Sequence, residues 1–192
     1  MAPPRVVRQQ NSANLVWIDL EMTGLDPQHD AIVQAALVVT TATLEPLEEF
    51  VCDVWQPPYV LERMSPYVRQ MHERTGLLKR LDASTTDVSS AEKQLIERVT
   101  GWCTYPAVLC GNSIGQDKRF IDRYMPGLSG YLSYRTVDVS SIKVLARLWY
   151  GEAGSFAKPT DGEHDALFDV RQSIAELAFY RDKLFRAEGL RT

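Results

Sequence analysis

Cysteine is scarce in this 192-residue chain: Cys52, Cys103 and Cys110 are odd in number and lack metal-ligand spacing. That argues against a disulfide framework and a cysteine zinc site. It leaves three small buried residues in a reducing compartment, expected here to be the cytoplasm. No apolar run is long enough to span a membrane, so no membrane association is expected. Residues 1–11 carry Arg5 and Arg8 but no apolar signal core, and read as a frayed terminus rather than a targeting segment. Internal repeats, low-complexity tracts and an internal domain boundary are all missing. A basic excess is missing too: 21 Lys and Arg stand against 25 Asp and Glu, a formal net charge of −4. This disfavours broad binding to long nucleic acid, which needs a basic face, but not a short nucleic acid held through metal ions.

The hydrophobic content of 45% and charged content of 24% are those of an ordinary globular protein, with enough chain for one sizeable core. The most informative stretch is Asn14-Leu-Val-Trp-Ile-Asp-Leu-Glu21. It is rich in β-branched and aromatic residues and reads as a strand. Side chains two apart on a strand share a face, so Asp19 and Glu21 project side by side. Like charges so close repel, and partial burial makes the repulsion worse. A hard divalent cation would remove the conflict, because such ions prefer carboxylate oxygens. The competing reading, a solvated strand end, loses ground because Gly24 and Pro27 turn the chain at once, and open α/β sheets build their sites at strand ends.

Further along, 31–40 and 44–54 read as strands of an antiparallel meander, and 65–74 as a short helix ending at Thr75-Gly76. A longer helix through Cys103 is expected to start in a capping box of Ser89 and Glu92. A short strand 107–110 follows. Gly111-Asn112-Ser113 turns into a helix that Pro126-Gly127 stops near Met125. A strand over 131–137, a helix over 141–150 and a mobile loop over 151–162 come next. The final helix, from about 164 to 185, is expected to bury Ala166, Leu167, Val170, Ile174, Leu177 and Ala178. The order predicts an α/β layered domain in which a meander feeds parallel crossovers. Residues 1–13 are expected as a flexible N-terminus, 14–187 as the domain and 188–192 as a tail.

Two more acids fall on faces that could meet the first pair. Asp117 shares a helix face with Phe120, Ile121 and Tyr124, whereas Asp122 falls off it. Asp117 is a candidate ligand, or simply a complement to the helix dipole. Asp169 borders the apolar stripe of the last helix, with Asp165 the competing candidate. His164 and Asp169 lie about 140° apart around a helix, so both cannot face one point if both are helical. The simplest solution puts His164 on the loop before the helix. A histidine between a loop and a cluster of acids is a general-base candidate.

With these residues in hand, the chain resembles the DEDDh 3′→5′ exonucleases, above all those that act on short oligoribonucleotides. The resemblance rests on Trp17-Ile-Asp-Leu-Glu-Met-Thr-Gly-Leu-Asp26, Cys110-Gly-Asn-Ser-Ile-Gly-Gln-Asp-Lys-Arg-Phe120, Tyr134-Arg135 with Asp138-Val-Ser140, and His164-x-Ala166-x-x-Asp169. It spans roughly residues 14–184. It implies an RNase H-like fold with a five-stranded mixed sheet flanked by helices. It implies two Mg²⁺ or Mn²⁺ ions held among Asp19, Glu21, Asp117 and Asp169, with His164 as general base. The implied reaction is two-metal hydrolysis that releases nucleoside 5′-monophosphates from short single-stranded RNA, dinucleotides above all.

By the same resemblance, Leu25 would wedge between the bases of a dinucleotide. Tyr67 stands where the family usually has a stacking tryptophan, and His72 matches a substrate-site histidine. Ser113, Arg135 and Ser140 would surround the 5′ phosphate. The family is homodimeric, so Tyr134 and Arg135 would complete the partner's site, Tyr134 being important for activity. From the residues alone, Tyr134 and Arg135 are an ordinary strand pair, and Tyr67 and Leu25 plain packing residues. One departure stands out: Gln34 occupies a position on the second strand that is often glutamate in the family.

Overall fold

A computed structural model describes residues 7–159 and 164–185. Five strands form one mixed sheet: β1 (Leu15–Met22), β2 (Ile32–Thr40), β3 (Pro46–Asp53), β4 (Ala107–Gly111) and β5 (Leu132–Asp138), in the order β3-β2-β1-β4-β5. β1 pairs antiparallel with β2, and β2 with β3, while β4 runs parallel to both β1 and β5. The chain therefore works outward from β1 to one edge, crosses back, and works outward on the other side. That reversal between β1 and β4 opens a crevice at their carboxyl ends. The expected five-stranded mixed sheet is present.

The helices are α1 (Pro58–Leu61), α2 (Pro66–Arg74), α3 (Leu77–Leu81), α4 (Val88–Trp102), α5 (Gly115–Tyr124), α6 (Pro126–Tyr131), α7 (Val139–Tyr150) and α8 (Ala166–Leu184). Alternation along β1 splits the core into two layers. Val16, Ile18, Leu20 and Met22 pack with Leu95 and Val99 of α4 and with Phe120 and Ile121 of α5. Trp17, on the opposite face, packs with Ala146 of α7 and with Ala166, Val170 and Tyr180 of α8. Asp19 and Glu21 belong to the Trp17 face, so they point toward the start of α8.

Several boundaries differ from expectation. The N-cap of α4 is Asp87, whose side chain accepts from Ser90 N at 2.7 Å, not Ser89. Glu92 is free for another task and accepts from Gly127 N (2.7 Å) and Leu128 N (3.1 Å). There it satisfies the first turn of α6, a short helix that Pro126 begins rather than blocks, because proline suits the first helical position. The buried face of α8 is Ala166, Val170, Ser173, Glu176 and Tyr180, with Leu167, Ile174 and Leu177 only partly buried. Ser173 and Glu176 can be buried because each finds polar partners there.

Two expected flexible segments fall partly outside the described residues: 1–6 of the N-terminus and 160–163 of the loop, as does the C-terminal tail 188–192. Residues 7–13 are held to the domain. Arg8 bonds Glu48 at 2.7 and 2.8 Å, and Asn11 N donates to Trp102 O at 2.9 Å. In the loop, Gly151–Gly154 form a 3₁₀ turn, and Phe156 packs on Phe179 with ring centroids 5.6 Å apart.

Candidate active site

β1 delivers Asp19 and Glu21 to the crevice, and a register shift at Glu21/Met22 ends its pairing with β2 there. Bulges at such positions re-aim side chains. α5 delivers Asp117 from its first turn, with Phe120 and Ile121 buried below it on the same face. Asp117 Oδ1 accepts from Leu20 N at 2.9 Å, which locks the helix start onto β1. α8 delivers Asp169, also from a first turn. Its rival Asp165 is the N-cap of α8, accepting from Phe168 N at 3.2 Å, and does not line the crevice.

The result is a cavity of about 390 Å³ lined by Asp19, Glu21, Asp117, His164 and Asp169 together with Leu25, Tyr67, Asn112, Ser113 and Gln116. The four acids and His164 converge, whereas Tyr134, the remaining catalytic candidate, does not line this cavity. Glu21 and Asp169 oxygens and a ring nitrogen of His164 lie within 4.8 Å of one another. His164 precedes α8 and is not helical; its left-handed backbone (φ 68°) lets its N–H donate to Asp169 Oδ2 at 2.8 Å. Ser113 is the other cavity residue with a left-handed backbone, at φ 50°. Non-glycine residues held in this region concentrate at functional sites.

The electrostatics carry the conflict that the sequence suggests. Withdrawal from water, then Asp117, Glu21 and Asp169, hold the Asp19 carboxyl well above the usual range. Burial, then Asp169 and Asp117, push Glu21 up to about 8. Burial pushes Asp117 up to about 7, against two backbone N–H bonds that favour its charge. Lys158 is the neighbouring cation, with Nζ 2.6 Å from Asp169 Oδ1. Sequence reasoning missed it, since a lone lysine on a loop carries no periodic signal. Convergent carboxylate oxygens, three of them on groups whose charging burial opposes, are the donor set that Mg²⁺ or Mn²⁺ takes. Asp19, Glu21, Asp117 and Asp169 therefore fit a divalent-ion centre.

The remaining expected residues fall into three groups. Leu25 and Tyr67 line the cavity, each 72% exposed, and Gln116 Nε2 donates to Leu25 O at 2.6 Å. Tyr67 and Leu25 are thus not the packing residues that their types alone would suggest. His72 does not line the cavity. It is fully buried behind Glu21, with Nε2 2.9 Å from Met22 O. Its Nδ1 has no hydrogen-bond partner among the described residues and lies 3.9 Å from Glu21 Oε2. Tyr134 and Arg135 lie on the exposed edge strand β5, the Arg135 guanidinium over the Tyr134 ring at 4.7 Å, and line no part of their own chain's cavity. Ser140 bonds Ser113 N at 2.9 Å, beside Asp138, which caps α7 and also accepts from Ser113 N at 3.0 Å.

Gln34 has a definite task. Its Oε1 accepts from Ala166 N at 3.1 Å and its Nε2 donates to Asp53 Oδ1 at 2.6 Å, tying the start of α8 to β2 and β3. An amide can do both, whereas a carboxylate could only accept.

Known proteins resemble this chain over most of its length. An exonuclease family model of the RNase T type matches residues 16–177. The chain is 46% identical to an oligoribonuclease of Hahella chejuensis over 178 residues, covering 90% of this chain and 96% of that one. It is 48% identical to an oligoribonuclease of Streptomyces coelicolor over 174 residues, covering 89% and 86%. Among solved structures, exonuclease I of Methylocaldum szegediense aligns with a TM-score of 0.65 at 20% identity, over 90% of this chain and 41% of that one. Exonuclease I of E. coli bound to a dA16 oligonucleotide aligns with a TM-score of 0.67 at 15% identity, over 90% and 42%. This chain spans about two fifths of those longer enzymes, and the likeness to them is one of fold. From the converging acids, the His164 turn and the near full-length similarity to curated relatives, the chain belongs to the RNase T-type exonuclease family, alongside the oligoribonucleases.

Proposed function

We propose that the protein is a divalent-metal-dependent 3′→5′ exoribonuclease that finishes RNA decay by cleaving very short oligonucleotides, dinucleotides above all. The observation that carries this is the convergence of Asp19, Glu21, Asp117, Asp169 and His164 on one small cavity. A metal-free acid–base site has no use for four converging acids, three of which are held above the usual carboxylate range; a phosphodiesterase does. Two ions held among Asp19, Glu21, Asp117 and Asp169 would supply Lewis acidity at the scissile phosphate and at the entering and leaving oxygens.

The chain's own groups do the rest. His164 accepts the proton of the attacking water as the new P–O bond forms. The bond from phosphorus to the 3′ oxygen breaks, and that oxygen takes up a proton from solvent to become the 3′-hydroxyl of the shortened chain. A nucleoside 5′-monophosphate is the other product. Asp169 holds the His164 backbone in its left-handed turn, and so sets where the imidazole stands. His72 acts from behind, backing Glu21 and β1 rather than touching substrate. Leu25 and Tyr67 offer apolar and aromatic surface on which bases stack, tyrosine serving because every base has a π-face. Ser113 and Ser140 stand where the 5′ phosphate would end.

The working form is a homodimer. Tyr134 of β5, whose outer edge is unpaired among the described residues, is 81% exposed, and Val144, Leu148 and Trp149 of α7 are 56%, 72% and 70% exposed. An unpaired strand edge and exposed apolar side chains of this kind favour an interface between copies. Tyr134 and Arg135 would then reach the other subunit's cavity. The free cysteines fit a reducing, cytoplasmic compartment.

The deciding experiment is Mg²⁺- or Mn²⁺-dependent turnover of 5′-labelled RNA as a function of length, from two nucleotides to seven and beyond. Rates should fall steeply above the dinucleotide. Equal rates on long single strands would overturn the short-substrate reading, and activity indifferent to chelators would overturn the mechanism.

A further inference from the structure

Glu176 is a carboxylate with no exposure to solvent in the middle of α8, and it takes no part in the hydrolysis itself. The groups that bond it all donate. Lys143 Nζ lies 2.9 Å from Oε1, Tyr180 Oη donates to Oε1 at 2.8 Å, and Asn112 Nδ2 donates to Oε2 at 3.0 Å. A buried charge is retained only where it is fully paired, and an acceptor-only group dictates the orientation of whatever faces it.

The orientation it dictates is that of Asn112, which lines the active-site cavity. With the Asn112 amide nitrogen turned to Glu176 and to Ser173 Oγ (3.0 Å), its oxygen must face the other way. There it accepts from Ser140 Oγ at 3.1 Å. A serine hydroxyl has one proton, and that of Ser140 is now committed. Its lone pairs accept from Ser113 N at 2.9 Å, and its oxygen lies 3.1 Å from Ser113 Oγ. In that last contact Ser113 must be the donor. The two serines are therefore not equivalent: the Ser140 proton is held on Asn112, whereas Ser113, which is exposed and lines the cavity, can turn its proton from Ser140 to an incoming anion.

We propose that Glu176 is a positioning residue for the 5′-phosphate end of the substrate: through Asn112 it fixes Ser140 as an acceptor and leaves the exposed Ser113 hydroxyl as the serine donor to the phosphate. This rests on the reading of the cavity as a short-RNA site, and it names which of two serines does the work and what sets it. Arg135 from a partner subunit would add charge, but it does not alter the order of protons along the Glu176–Asn112–Ser140–Ser113 chain.

The test compares two dinucleotides, one 5′-phosphorylated and one with a 5′-hydroxyl, by kcat and KM in the metal-loaded wild type and in Glu176→Gln. An amide in place of the carboxylate can donate as well as accept, so it no longer fixes Asn112. The wild-type preference for the 5′-phosphorylated substrate should fall about tenfold in Glu176→Gln, chiefly through KM, the loss expected for a misdirected hydrogen bond to a charged group. Ser113→Ala should lower the same preference by a similar factor, and should add little in the Glu176→Gln background, because both changes remove one donor. If Glu176→Gln does not fold by circular dichroism, Asn112→Ala breaks the same chain nearer the cavity and should give the same selective loss.

Equal losses on both substrates would overturn the proposal in favour of a purely structural role. So would an unchanged preference, or full additivity with Ser113→Ala. A wild type that cleaves dinucleotides with no preference for the 5′ phosphate would overturn it too. A wild type that cleaves no short RNA would instead sink the functional reading beneath it, and the two failures are distinct.

Discussion

The backbone N–H of His164 donates to Oδ2 of Asp169 at 2.8 Å. Five positions apart, the two residues could not share a helix face. They meet because His164 stands outside α8 in a left-handed turn that the Asp169 carboxylate closes from inside the helix. The candidate base and a candidate metal ligand are thereby one local unit, and Lys158 on the other oxygen of Asp169 completes it.

Replacing Asp19 or Asp117 with Asn should lower kcat at least a hundredfold, the scale of losing direct ion contacts. The same changes should raise the melting temperature of the metal-free protein by a few degrees, because each removes a carboxylate whose charge the fold opposes. Paired kinetics and melting curves check both directions, and unchanged activity in Asp19→Asn would refute the ion-centre assignment.

The metal-free protein should lose stability as pH rises. Glu21 titrates at about 8 and Asp117 at about 7 in the folded chain, against roughly 4 in an unfolded one. Both bind their protons more tightly when folded, so their contribution is intact below about pH 4 and is lost as pH climbs through the folded values. Divalent ions should offset this, so the shift in melting temperature produced by Mg²⁺ or Mn²⁺ should grow from about pH 5 to about pH 9. A shift independent of pH would count against the coupling.

Lys158 sits on the oxygen that an ion would need. Lys158→Met should tighten Mn²⁺ binding severalfold by isothermal titration calorimetry, since the ammonium competes for Asp169 and repels the cation. Weaker binding in the variant would mean that Lys158 supports the ions instead.

Gln34→Ala should cost about 1–2 kcal/mol by denaturant unfolding, because Ala166 N and Asp53 lose a partner. It should also lower kcat about tenfold by loosening the start of α8 under His164. Gln34→Glu keeps the acceptor for Ala166 but sets a carboxylate against Asp53, and should also destabilise. Equal stability of wild type and Gln34→Glu would argue against the amide bridge.

Leu148→Glu on the exposed face of α7 should shift the sedimentation of the protein from dimer to monomer. Arg135→Ala should leave assembly intact and weaken the 5′-phosphate preference. A wild type that sediments as a monomer would remove the shared-site reading.

The first strand is legible in the sequence because its signal is local. Alternation around Trp17 gives the strand, and alternation also puts Asp19 and Glu21 on one face. Asp117 is legible as a face-sharer with Phe120 and Ile121, but only its bond to Leu20 N separates the ligand role from the dipole role. Spacing alone does not choose between Asp165 and Asp169; the cap role of Asp165 does. The Ser89–Glu92 box does not form because Asp87, an equally good cap two residues earlier, claims the helix start. The buried stripe of α8 is rotated from the one its apolar residues suggest. Glu176 and Ser173 look like surface residues until Asn112, Lys143 and Tyr180 are seen to satisfy them.

The sequence by itself determined which chemistry was possible: four acids and a histidine of the right types, on elements whose periodicities are short-range and survive without knowledge of the fold. The tertiary structure decided what those residues are to one another. It brought β1, α5 and α8 to one crevice at the carboxyl ends of β1 and β4. It moved His72 behind Glu21 and Tyr134 out to an edge, and gave Gln34, Lys158 and Glu176 their tasks. Those outcomes depend on contacts between segments far apart in the chain, and a hydrogen bond that spans 132 positions, like that of Ala166 to Gln34, leaves no pattern in either segment alone.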